Sequence, residues 1–294
     1  MEAGLAAEIA GAIGAATGQP FSPARQEATG GGCINRSLVL LGEDGRRFFL
    51  KLNRADKAEM FAAEAEGLAE LARAEAIRVP QAIAWGATDS ACWLVLEYLE
   101  LGHRGNARIL GQQLANLHRI TQNSFGWHRD NTIGATLQIN TSSPDWVDFY
   151  RHHRLGFQLD LAKKNGAGHT LLRDGERLMA DLGAYFTDYA PAPSLLHGDL
   201  WGGNHAYTAG EPVLFDPAVY FGDREADMAM TELFGGFSAD FQAAYREAWP
   251  LDPGYAARRD LYNLYHIINH FNLFGGGYEG QANALAARLL AQIR

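Results

Sequence analysis

The sequence is poor in cysteine and has no long apolar run. Its 294 residues include two cysteines, Cys33 and Cys92, which are too few for a disulfide framework. No stretch approaches the roughly 20 consecutive apolar residues that span a membrane. The first residues also lack the basic segment that opens a secretory signal. We therefore expect a protein of the reducing cytoplasm with no membrane partner.

Runs of lysine and arginine are also missing. The formal charge is -9, with 25 basic against 34 acidic residues, which argues against nucleic acid or an anionic membrane surface as the main partner. An apolar share of 47% with 20% charged residues is ordinary for a globular protein. The length allows two lobes, each with its own core.

The chain is organised around one polar stretch, from His197 to Asn204, and a second that ends at Asp216. Asp199 and Asn204 have the spacing Asp-x-x-x-x-Asn of the kinase catalytic loop. In phosphoryl transfer, the first carboxylate orients the attacking hydroxyl and accepts its proton. An amide oxygen and a second carboxylate hold magnesium against the nucleotide phosphates. Apolar residues before His197 and before Asp216 predict short buried strands that would hold these groups rigidly.

The first hundred residues carry a pattern that fits phosphate binding. A strand over 21–29 is followed by a glycine turn at 30–32, a strand over 37–41 and a strand over 47–52 that contains Lys51. Glycine lets backbone amides approach phosphate oxygens, and the lysine adds a positive charge. A glycine triplet or a strand lysine alone is weak evidence, because flexible hairpins and solvated lysines are common. The pattern gains weight from the polar stretches that follow.

A helix over 55–74 offers a partner for Lys51. Glu64 and Glu66 both lie on this helix, and one of them could hold the ammonium toward the phosphates, as a helix glutamate does in kinases. A helix glutamate is more often simply solvated, so this role depends on the other motifs.

The predicted sheet ends in a segment that could bind adenine. Strands over 82–85 and 91–96 are followed by Glu97, Tyr98 and Leu99, which we expect to leave the sheet and link the two lobes. In a kinase-like lobe, backbone groups at this place would pair with the adenine edge in an apolar slot.

Cys33 follows the glycine turn and admits two interpretations. As a small residue tolerated in a turn it would have no chemical role, and this is the simpler interpretation. As an exposed thiol near loop amides it would have a lowered pKa and oxidise readily, which would make it a redox switch. Peroxide treatment of the wild type and of Cys33→Ser distinguishes the two, since equal loss of activity in both excludes the switch.

The remaining residues are expected to be mainly helical. Residues 123–143 form a long irregular segment, which is either a loop over the substrate or a structural wrap. His118 is expected to be a satisfied core histidine, and Asp227 suits the positive end of its helix dipole. The predicted helices cover residues 109–120, 143–166, 171–186, 223–234, 240–249, 253–272 and 281–293.

Several other side chains could have a functional or a structural role. His197 and His205 invite a metal site, but no further His or Cys follows at zinc-ligand spacing. We therefore expect His197 to anchor its loop by hydrogen bonds. Asp223 could border a substrate pocket, and His270 could face the same pocket.

Five segments together resemble the fructosamine kinase family, also called ketosamine-3-kinases. This family belongs to the aminoglycoside phosphotransferase and choline kinase branch of the protein-kinase-like fold. In the wider branch the position of Trp201 is commonly His followed by Pro, so Trp201-Gly202-Gly203 points to this family. The resemblance covers nearly the whole chain. The segments that carry it are 30–34, 197–204, 215–220, 224–227 and 273–278.

The resemblance implies an α+β, two-lobed protein-kinase-like fold. Residues 1–98 would form a nucleotide-binding lobe with a five-stranded antiparallel sheet and a helix. Residues 99–294 would form a mainly helical lobe for catalysis and substrate binding. The implied cofactors are ATP and Mg2+.

The implied site places Asp199 as the catalytic base, with Asn204 and Asp216 binding magnesium. The Phe61-x-x-Glu64 pattern favours Glu64 over Glu66 as the partner of the phosphate-binding lysine. Trp201 is either a platform on which the sugar stacks or a packing residue. The residues assigned to the nucleotide are Gly30, Gly31, Gly32, Lys51, Glu64, Glu97, Tyr98 and Leu99. Those assigned to the substrate are Trp201, Asp223 and His270.

Enzymes of this family phosphorylate the sugar 3-hydroxyl of ketoamines, the adducts of sugars with amines, including protein lysines. The product is unstable and releases the amine, so the reaction serves protein deglycation. Bacterial-looking members often prefer ribulosamine or erythrulosamine. The resemblance therefore implies a small-molecule or protein-bound ketoamine as substrate.

Two alternatives stay open at this point. One is a related small-molecule kinase that acts on an aminoglycoside, a choline-like compound or another hydroxylated amine, because the same phosphate machinery serves all of these. The other is a catalytically dead nucleotide-binding adaptor. The intact set of Lys51, Asp199, Asn204 and Asp216 argues against the adaptor.

Overall fold

The computed structural model of the protein describes residues 2–30 and 34–293. Gly31 and Gly32, which were predicted to cover phosphates, and the candidate redox residue Cys33 lie outside the described residues. Within the part that is described, no helix is long and apolar enough to cross a membrane.

The chain folds into two compact units, each built from two segments. Unit 1 comprises Met1–Asn106 and Ala206–Asp216, and unit 2 comprises Ala107–His205 and Pro217–Arg294. The short segment 206–216 thus belongs to unit 1, although the sequence on either side of it belongs to unit 2.

The described part of unit 1 contains an antiparallel five-stranded sheet, two α-helices and a separate pair of strands within 205–214. The strand order is β1-β2-β3-β5-β4, with every neighbouring pair antiparallel. The predicted small-lobe sheet with its helix is therefore confirmed. In chain order the elements are α1 (Ala3–Thr17), β1 (Pro23–Ala28), β2 (Arg36–Gly42), β3 (Arg47–Arg54), α2 (Ala58–Arg73), β4 (Ala82–Ala87) and β5 (Ala91–Glu97).

The alternation of side chains along β3 separates the two faces of this sheet. Leu50 and Leu52 join Ile9 and Ile13 of α1 in one apolar cluster, because residues two apart on a strand share a face. Lys51 lies between the two leucines in sequence and projects to the opposite face. This alternation brings a buried lysine to the side of the sheet that α2 contacts.

Unit 2 is mainly helical, with short strands at its polar turns. Strand β8 pairs antiparallel with β11. Strands β9 and β10 pair with each other and, apart from His205, belong to unit 1. Helix α9 packs against α7 and α10, and α3 packs against α8. The elements after β5 are α3 (Ala107–His118), β6 (Asn131–Ile133), β7 (Thr136–Gln138), α4 (Trp146–Tyr150), α5 (Phe157–Lys164), α6 (His169–Ala180), β8 (Ser194–Leu196), β9 (His205–Thr208), β10 (Glu211–Leu214), β11 (Tyr220–Gly222), α7 (Arg224–Met230), α8 (Ala239–Ala248), α9 (Tyr255–Phe274) and α10 (Tyr278–Gln292).

The segment predicted to be irregular, 123–143, contains the small hairpin β6–β7. The hairpin buries polar side chains, since Asn131 and Gln138 are 6% and 1% exposed. Sequence reasoning missed these strands because a buried polar face gives no apolar alternation. The segment is a structural wrap at this point rather than an open loop.

The helix predicted to start at Ser143 begins instead at Trp146. Asp145 is its cap, and its carboxylate accepts the backbone N–H of Asp148 at 2.7 Å. A π-helical turn, Arg151–Gly156, separates α4 from α5. Such turns are rare and occur often at functional positions.

Candidate active site

Lys51 on β3 is buried beside two carboxylates in unit 1. Its ammonium donates hydrogen bonds to Glu64 of α2 and to Asp216, the latter at 2.6 Å. Burial by itself lowers the pKa of Lys51, but the negative charges of Asp216 and Glu64 more than offset this effect and raise its pKa above the usual value. Lys51 is therefore a charged donor at neutral pH.

Glu64, the helix residue favoured as the lysine partner, is the one that the structure brings to Lys51. Its side chain is 10% exposed. Burial raises the pKa of Glu64, and the ammonium of Lys51 opposes that rise. The pair is thus held in a weakly solvated part of unit 1, where charge–charge attraction is strong.

Asp216 follows β10 and has a left-handed backbone conformation. Its φ is 56°, which is uncommon for a residue with a Cβ atom and often marks a functional position. Its side chain is 46% exposed although it bonds Lys51. The carboxylate is therefore oriented by a buried cation while part of it faces solvent.

The linker residues lie at the end of β5. The backbone N–H of Glu97 donates to the Gln81 carbonyl at 2.8 Å, so Glu97 is still part of the sheet. The Tyr98 ring lies 4.3 Å from the Arg47 guanidinium carbon, which fixes the start of the linker by a cation–π contact. Adenine binding by Glu97, Tyr98 and Leu99 stays a prediction.

Gly30 is the member of the glycine turn that the structure describes. It is exposed, and a Cβ atom there would meet no atom of a described residue within 4 Å, apart from Gly30 itself and its chain neighbours. Local crowding therefore does not explain a glycine at this position, and its role in covering phosphates stays a prediction.

The turn from His197 to Asn204 follows the buried strand β8 in unit 2. The Asn204 amide nitrogen donates to the backbone oxygen of Asp199 at 2.8 Å and to its Oδ2 at 3.2 Å. The backbone N–H of Asp199 donates to His197 Nδ1 at 3.3 Å. The turn therefore ties its first and last functional residues together, and His197 anchors the loop as the sequence analysis expected.

Gly198 occupies a position that other residues could not adopt without strain. Its φ is 82°, and a Cβ atom there would lie 2.0 Å from the carbonyl oxygen of Ala218. The chain segments approach this closely because the Ala218 N–H donates to the His197 carbonyl at 2.8 Å. Glycine is therefore required for the tight turn that presents Asp199.

Asp227 holds the same turn from α7, a role that sequence reasoning missed. Its carboxylate accepts the backbone N–H groups of His197 at 2.7 Å and Gly198 at 2.9 Å. Burial acts to raise the pKa of Asp227, but hydrogen bonding and charge from His118 outweigh it and lower the pKa. In the sequence, an acidic residue near the start of a helix is already explained by the helix dipole. Nothing in the sequence around Asp227 therefore indicated a contact with the distant turn.

His118 supports Asp227 from α3. Its Nε2 lies 3.2 Å from Asp227 Oδ2, and its Nδ1 lies 2.7 Å from the Tyr245 hydroxyl oxygen. Burial lowers the pKa of His118, and the hydrogen bond and charge of Asp227 oppose that fall. Because a carboxylate only accepts, Nε2 carries the proton and donates to Asp227. His118 is a satisfied core histidine, as expected from the sequence.

Trp201 folds back over the turn from His197 to Asn204. A Cβ atom on Gly203 would lie 2.2 Å from the Trp201 ring, so glycine at position 203 makes room for the indole. Trp201 is 39% exposed. The ring is thus seated on the turn with part of its surface in solvent, which is compatible with both roles considered from the sequence.

Asp223 is fully buried at the start of α7. It caps this helix, accepting hydrogen bonds from the Glu225 N–H at 3.0 Å and from the hydroxyls of Tyr189 and Tyr262 at 2.9 and 2.5 Å. Contact of Asp223 with a substrate stays a prediction.

His270 is half-buried near the end of α9. Its Nδ1 donates to the His266 carbonyl at 2.8 Å, and its ring packs against Phe234 and Tyr278 with centroid distances of 4.5 and 5.2 Å. Burial lowers its pKa, so the imidazole is neutral at pH 7. Contact of His270 with a substrate stays a prediction.

The metal ligands predicted from the sequence bind through oxygen atoms. Among residues 2–30 and 34–293, no group of three or more His, Cys, Asp or Glu side chains is arranged to hold a metal ion. His205, the second histidine of the polar stretch, stacks on Phe237 at a centroid distance of 4.2 Å. The predicted ligands Asn204 and Asp216 offer an amide oxygen and a carboxylate, which suit a hard cation.

Comparison with known proteins shows a phosphotransferase of the protein-kinase-like fold. A solved structure assigned as a fructosamine-3-kinase, from Haemophilus somnus, matches with a TM-score of 0.89 and 28% identity over 96% of both chains. A gentamicin complex of an aminoglycoside phosphotransferase matches with a TM-score of 0.64 at 12% identity, over 100% of this chain and 96% of that one. At that identity the second match shows the shared fold alone.

The chain belongs to the fructosamine kinase family. The family model described as fructosamine kinase matches residues 5–292. A Synechocystis protein named as a probable ketoamine kinase is 47% identical over 287 residues, covering 96% of each chain. A chloroplastic protein-ribulosamine 3-kinase of Oryza sativa subsp. japonica is 40% identical over 270 residues, covering 90% of this chain and 78% of its own. The resemblance inferred from the motifs is confirmed.

Proposed function

We propose that this protein is an ATP- and Mg2+-dependent kinase that phosphorylates the sugar 3-hydroxyl of ketoamines. The observation that carries the proposal is the turn that presents Asp199, tied by Asn204 and backed by Asp227. Membership of the fructosamine kinase family supports the substrate class. The pairing of Lys51 with Glu64 supports the use of a nucleotide triphosphate.

Asp199 is the proposed base. It orients the sugar hydroxyl and accepts its proton while the hydroxyl oxygen forms a bond to the γ-phosphorus. The bond from that phosphorus to the β–γ bridging oxygen breaks, and ADP leaves. The Asn204 amide bonded to Asp199 Oδ2 restricts the rotation of the carboxylate, which keeps it in the orientation that the transfer needs.

Lys51 is the proposed phosphate ligand. Its raised pKa keeps it charged, and Glu64 fixes its ammonium. In the described structure this ammonium bonds the Asp216 carboxylate. We propose that it also donates to the α- and β-phosphate oxygens, with the adenine held by the linker after Glu97.

The residues proposed for magnesium fit a hard cation. Asn204 directs both hydrogen bonds of its amide nitrogen to Asp199, which fixes the amide with its oxygen on the other side. Asp216 contributes a carboxylate whose orientation is set by Lys51. Magnesium, when bound, would neutralise phosphate charge.

The proposed acceptor is a ketoamine, either free or attached to a protein lysine. The 3-phosphate of such an adduct is unstable and releases the amine, so the reaction would remove early glycation products. The relative named protein-ribulosamine 3-kinase favours a ribulosamine adduct on protein for this chain as well. We also propose a cytoplasmic location.

An ATP-consumption panel tests this proposal. Purified protein is supplied with Mg2+, ATP and, in turn, ribulosamine, fructosamine and kanamycin, and phosphate transfer is confirmed by mass. We expect turnover with one or both ketoamines and none with kanamycin. Turnover with kanamycin alone would assign a different acceptor class, and ATP binding without turnover on any acceptor would support a non-catalytic adaptor.

A further inference from the structure

Arg154 is a fully buried guanidinium on the π-helical turn of unit 2. In the described part of the chain, no Asp or Glu carboxylate forms an ion pair with it, and its Nε has no hydrogen-bond partner. Burying an unpaired charge is costly, and an apolar side chain of similar size would fill the same space at lower cost. The arginine therefore needs an explanation beyond packing.

The guanidinium is held by neutral groups alone. It donates to the carbonyls of Ile139 at 2.6 Å and His153 at 3.0 Å, and to Asn140 Oδ1 at 2.7 Å. Its central carbon lies 4.0 Å from the centroid of the Tyr220 ring and 4.6 Å from that of Phe149. These dipoles and rings stabilise the charge in place of a carboxylate.

Arg154 fixes the direction of a chain of buried amides. Because a guanidinium only donates, Asn140 must turn its oxygen toward it and its nitrogen away. That nitrogen donates to Asn131 Oδ1 at 3.0 Å, so Asn131 in turn directs its own nitrogen to the Val219 carbonyl at 2.7 Å. Gln138 donates to Asn131 Oδ1 at 2.9 Å.

The chain of amides ends on the backbone beside the catalytic turn. Gln138 Nε2 donates to the Ala218 carbonyl at 3.0 Å. That same carbonyl fills the space where a Cβ atom of Gly198 would lie, and the Ala218 N–H donates to the His197 carbonyl at 2.8 Å. The backbone at Ala218 thus receives the amide network on one side and supports the turn before Asp199 on the other.

We propose that Arg154 is a positioning residue for Asp199. Its charge sets the orientation of the Asn140, Asn131 and Gln138 amides, and they hold the backbone on which the catalytic turn rests. This inference rests on the proposed function where it concerns turnover. Its structural part, the rigidity of the turn, can be measured without any substrate.

Hydrogen–deuterium exchange of the peptide over 195–204 tests the structural part. Arg154→Met keeps the length of the side chain but removes its donors, and we expect this peptide to exchange faster. The comparison with the wild type is made at equal melting temperature, or after the exchange rates are corrected for the difference in melting temperature. Arg151→Met is the matched control, since Arg151 lies on the same turn and donates to the Met179 carbonyl. Exchange equal to the wild type in Arg154→Met would overturn the proposal, whatever the acceptor of the enzyme.

Steady-state kinetics test the catalytic part. Arg154→Met should lower kcat about 10- to 100-fold with little change in the KM for ATP, while Arg154→Lys should recover part of the loss and Arg151→Met should match the wild type. A wild type inactive on ketoamines would reject the proposed function but leave the exchange result decisive. An active wild type with an equally active Arg154→Met would reject the positioning role.

A double-mutant cycle separates a connected network from general destabilisation. If Arg154 acts through Asn140, then Arg154→Met combined with Asn140→Leu should lower kcat about as much as either change alone. If the two substitutions instead lower kcat independently, so that their fold-changes multiply in the double variant, the proposal is contradicted. If Arg154→Met does not fold, Gln138→Met removes the last link to Ala218 and must show the same faster exchange over 195–204; an unchanged peptide would again reject the idea.

Discussion

At the scale of single residues, the turn from His197 to Asn204 contains positions where only glycine fits. Gly198 has a positive φ and faces a backbone carbonyl, while Gly203 faces an indole ring. A Cβ atom on Gly202, between Trp201 and Gly203, would meet no atom of a described residue within 4 Å, apart from Gly202 itself and its two chain neighbours. Adjacent glycines in one turn therefore have different reasons to be glycine, which the sequence alone does not separate.

Gly198→Ala should impair both stability and turnover. The new methyl would collide with the Ala218 carbonyl and enforce a strained backbone, so we expect a loss in unfolding free energy of about 1–3 kcal/mol and a displaced Asp199. Urea denaturation and kcat measure the two effects. Gly202→Ala is the control in the same turn, and equal behaviour of the two variants would contradict the described geometry.

His266 should make stability depend on pH. It is buried on α9, its Nδ1 lacks a partner in the described part of the chain, and burial lowers its pKa from 6.5 to about 3. The unfolded chain therefore takes up a proton below pH 6.5 that the folded chain refuses until about pH 3. Stability is complete above pH 6.5 and should fall on acidification by up to about 1.4 kcal/mol per pH unit.

The variant His266→Leu should remove this part of the slope. Urea denaturation between pH 7 and 5 measures it, and His169→Gln, at an exposed position at the start of α6, is the control. A slope in His266→Leu as steep as in the wild type would show that His266 is not the source.

At the scale of elements, the turn from His197 to Asn204 is held by elements that are distant in sequence. β8 leads into it, α7 contributes Asp227, and α3 contributes His118. Each element forms for local reasons, such as the Asp223 cap of α7. Their convergence on one turn is a tertiary effect.

Asp227→Asn should lower kcat by about tenfold or more, because an amide has one acceptor oxygen where the carboxylate serves two backbone N–H groups. The KM for ATP should change little, since the described hydrogen bonds of the Asp227 side chain go to the turn and to His118. Asp240→Asn, at an exposed acidic position in the first turn of α8, is the control. Wild-type kcat in Asp227→Asn would contradict the anchoring role.

The elements differ in how well the sequence predicted them. The strands of unit 1 were found within a few residues, since apolar alternation and turn residues mark them clearly. The hairpin β6–β7 was missed because Asn131 and Gln138 point inward to a polar network. The same limit applied to Asp227, whose partners His197 and Gly198 lie 30 and 29 positions away. It also applied to Arg154, whose bond to Asn140 spans 14 positions and leaves no local pattern.

At the scale of the whole molecule, each unit carries part of the predicted set of site residues. Unit 1 contains Lys51, Glu64 and Asp216, and unit 2 contains Asp199 and Asn204. The chain passes from unit 1 to unit 2 directly after Asp216. The motif spacing predicted which residue types matter, and the family resemblance predicted the fold, because phosphoryl transfer restricts both strongly.

The prediction of the substrate side was weaker for a physical reason. Specificity depends on the shape of a pocket built from many side chains, none of which needs a fixed spacing. The role of Asp223 therefore stays a prediction, whereas the buried Lys51–Glu64 pair could be anticipated from one strand and one helix.

Single-turnover transfer of phosphate from ATP to ribulosamine, measured for the wild type and for Asp199→Asn, tests the central claim most directly. The wild type should form ADP and the sugar 3-phosphate in equal amounts, and Asp199→Asn should do so roughly 10²–10⁴-fold more slowly while still binding ATP. Transfer by Asp199→Asn at the wild-type rate would contradict this account.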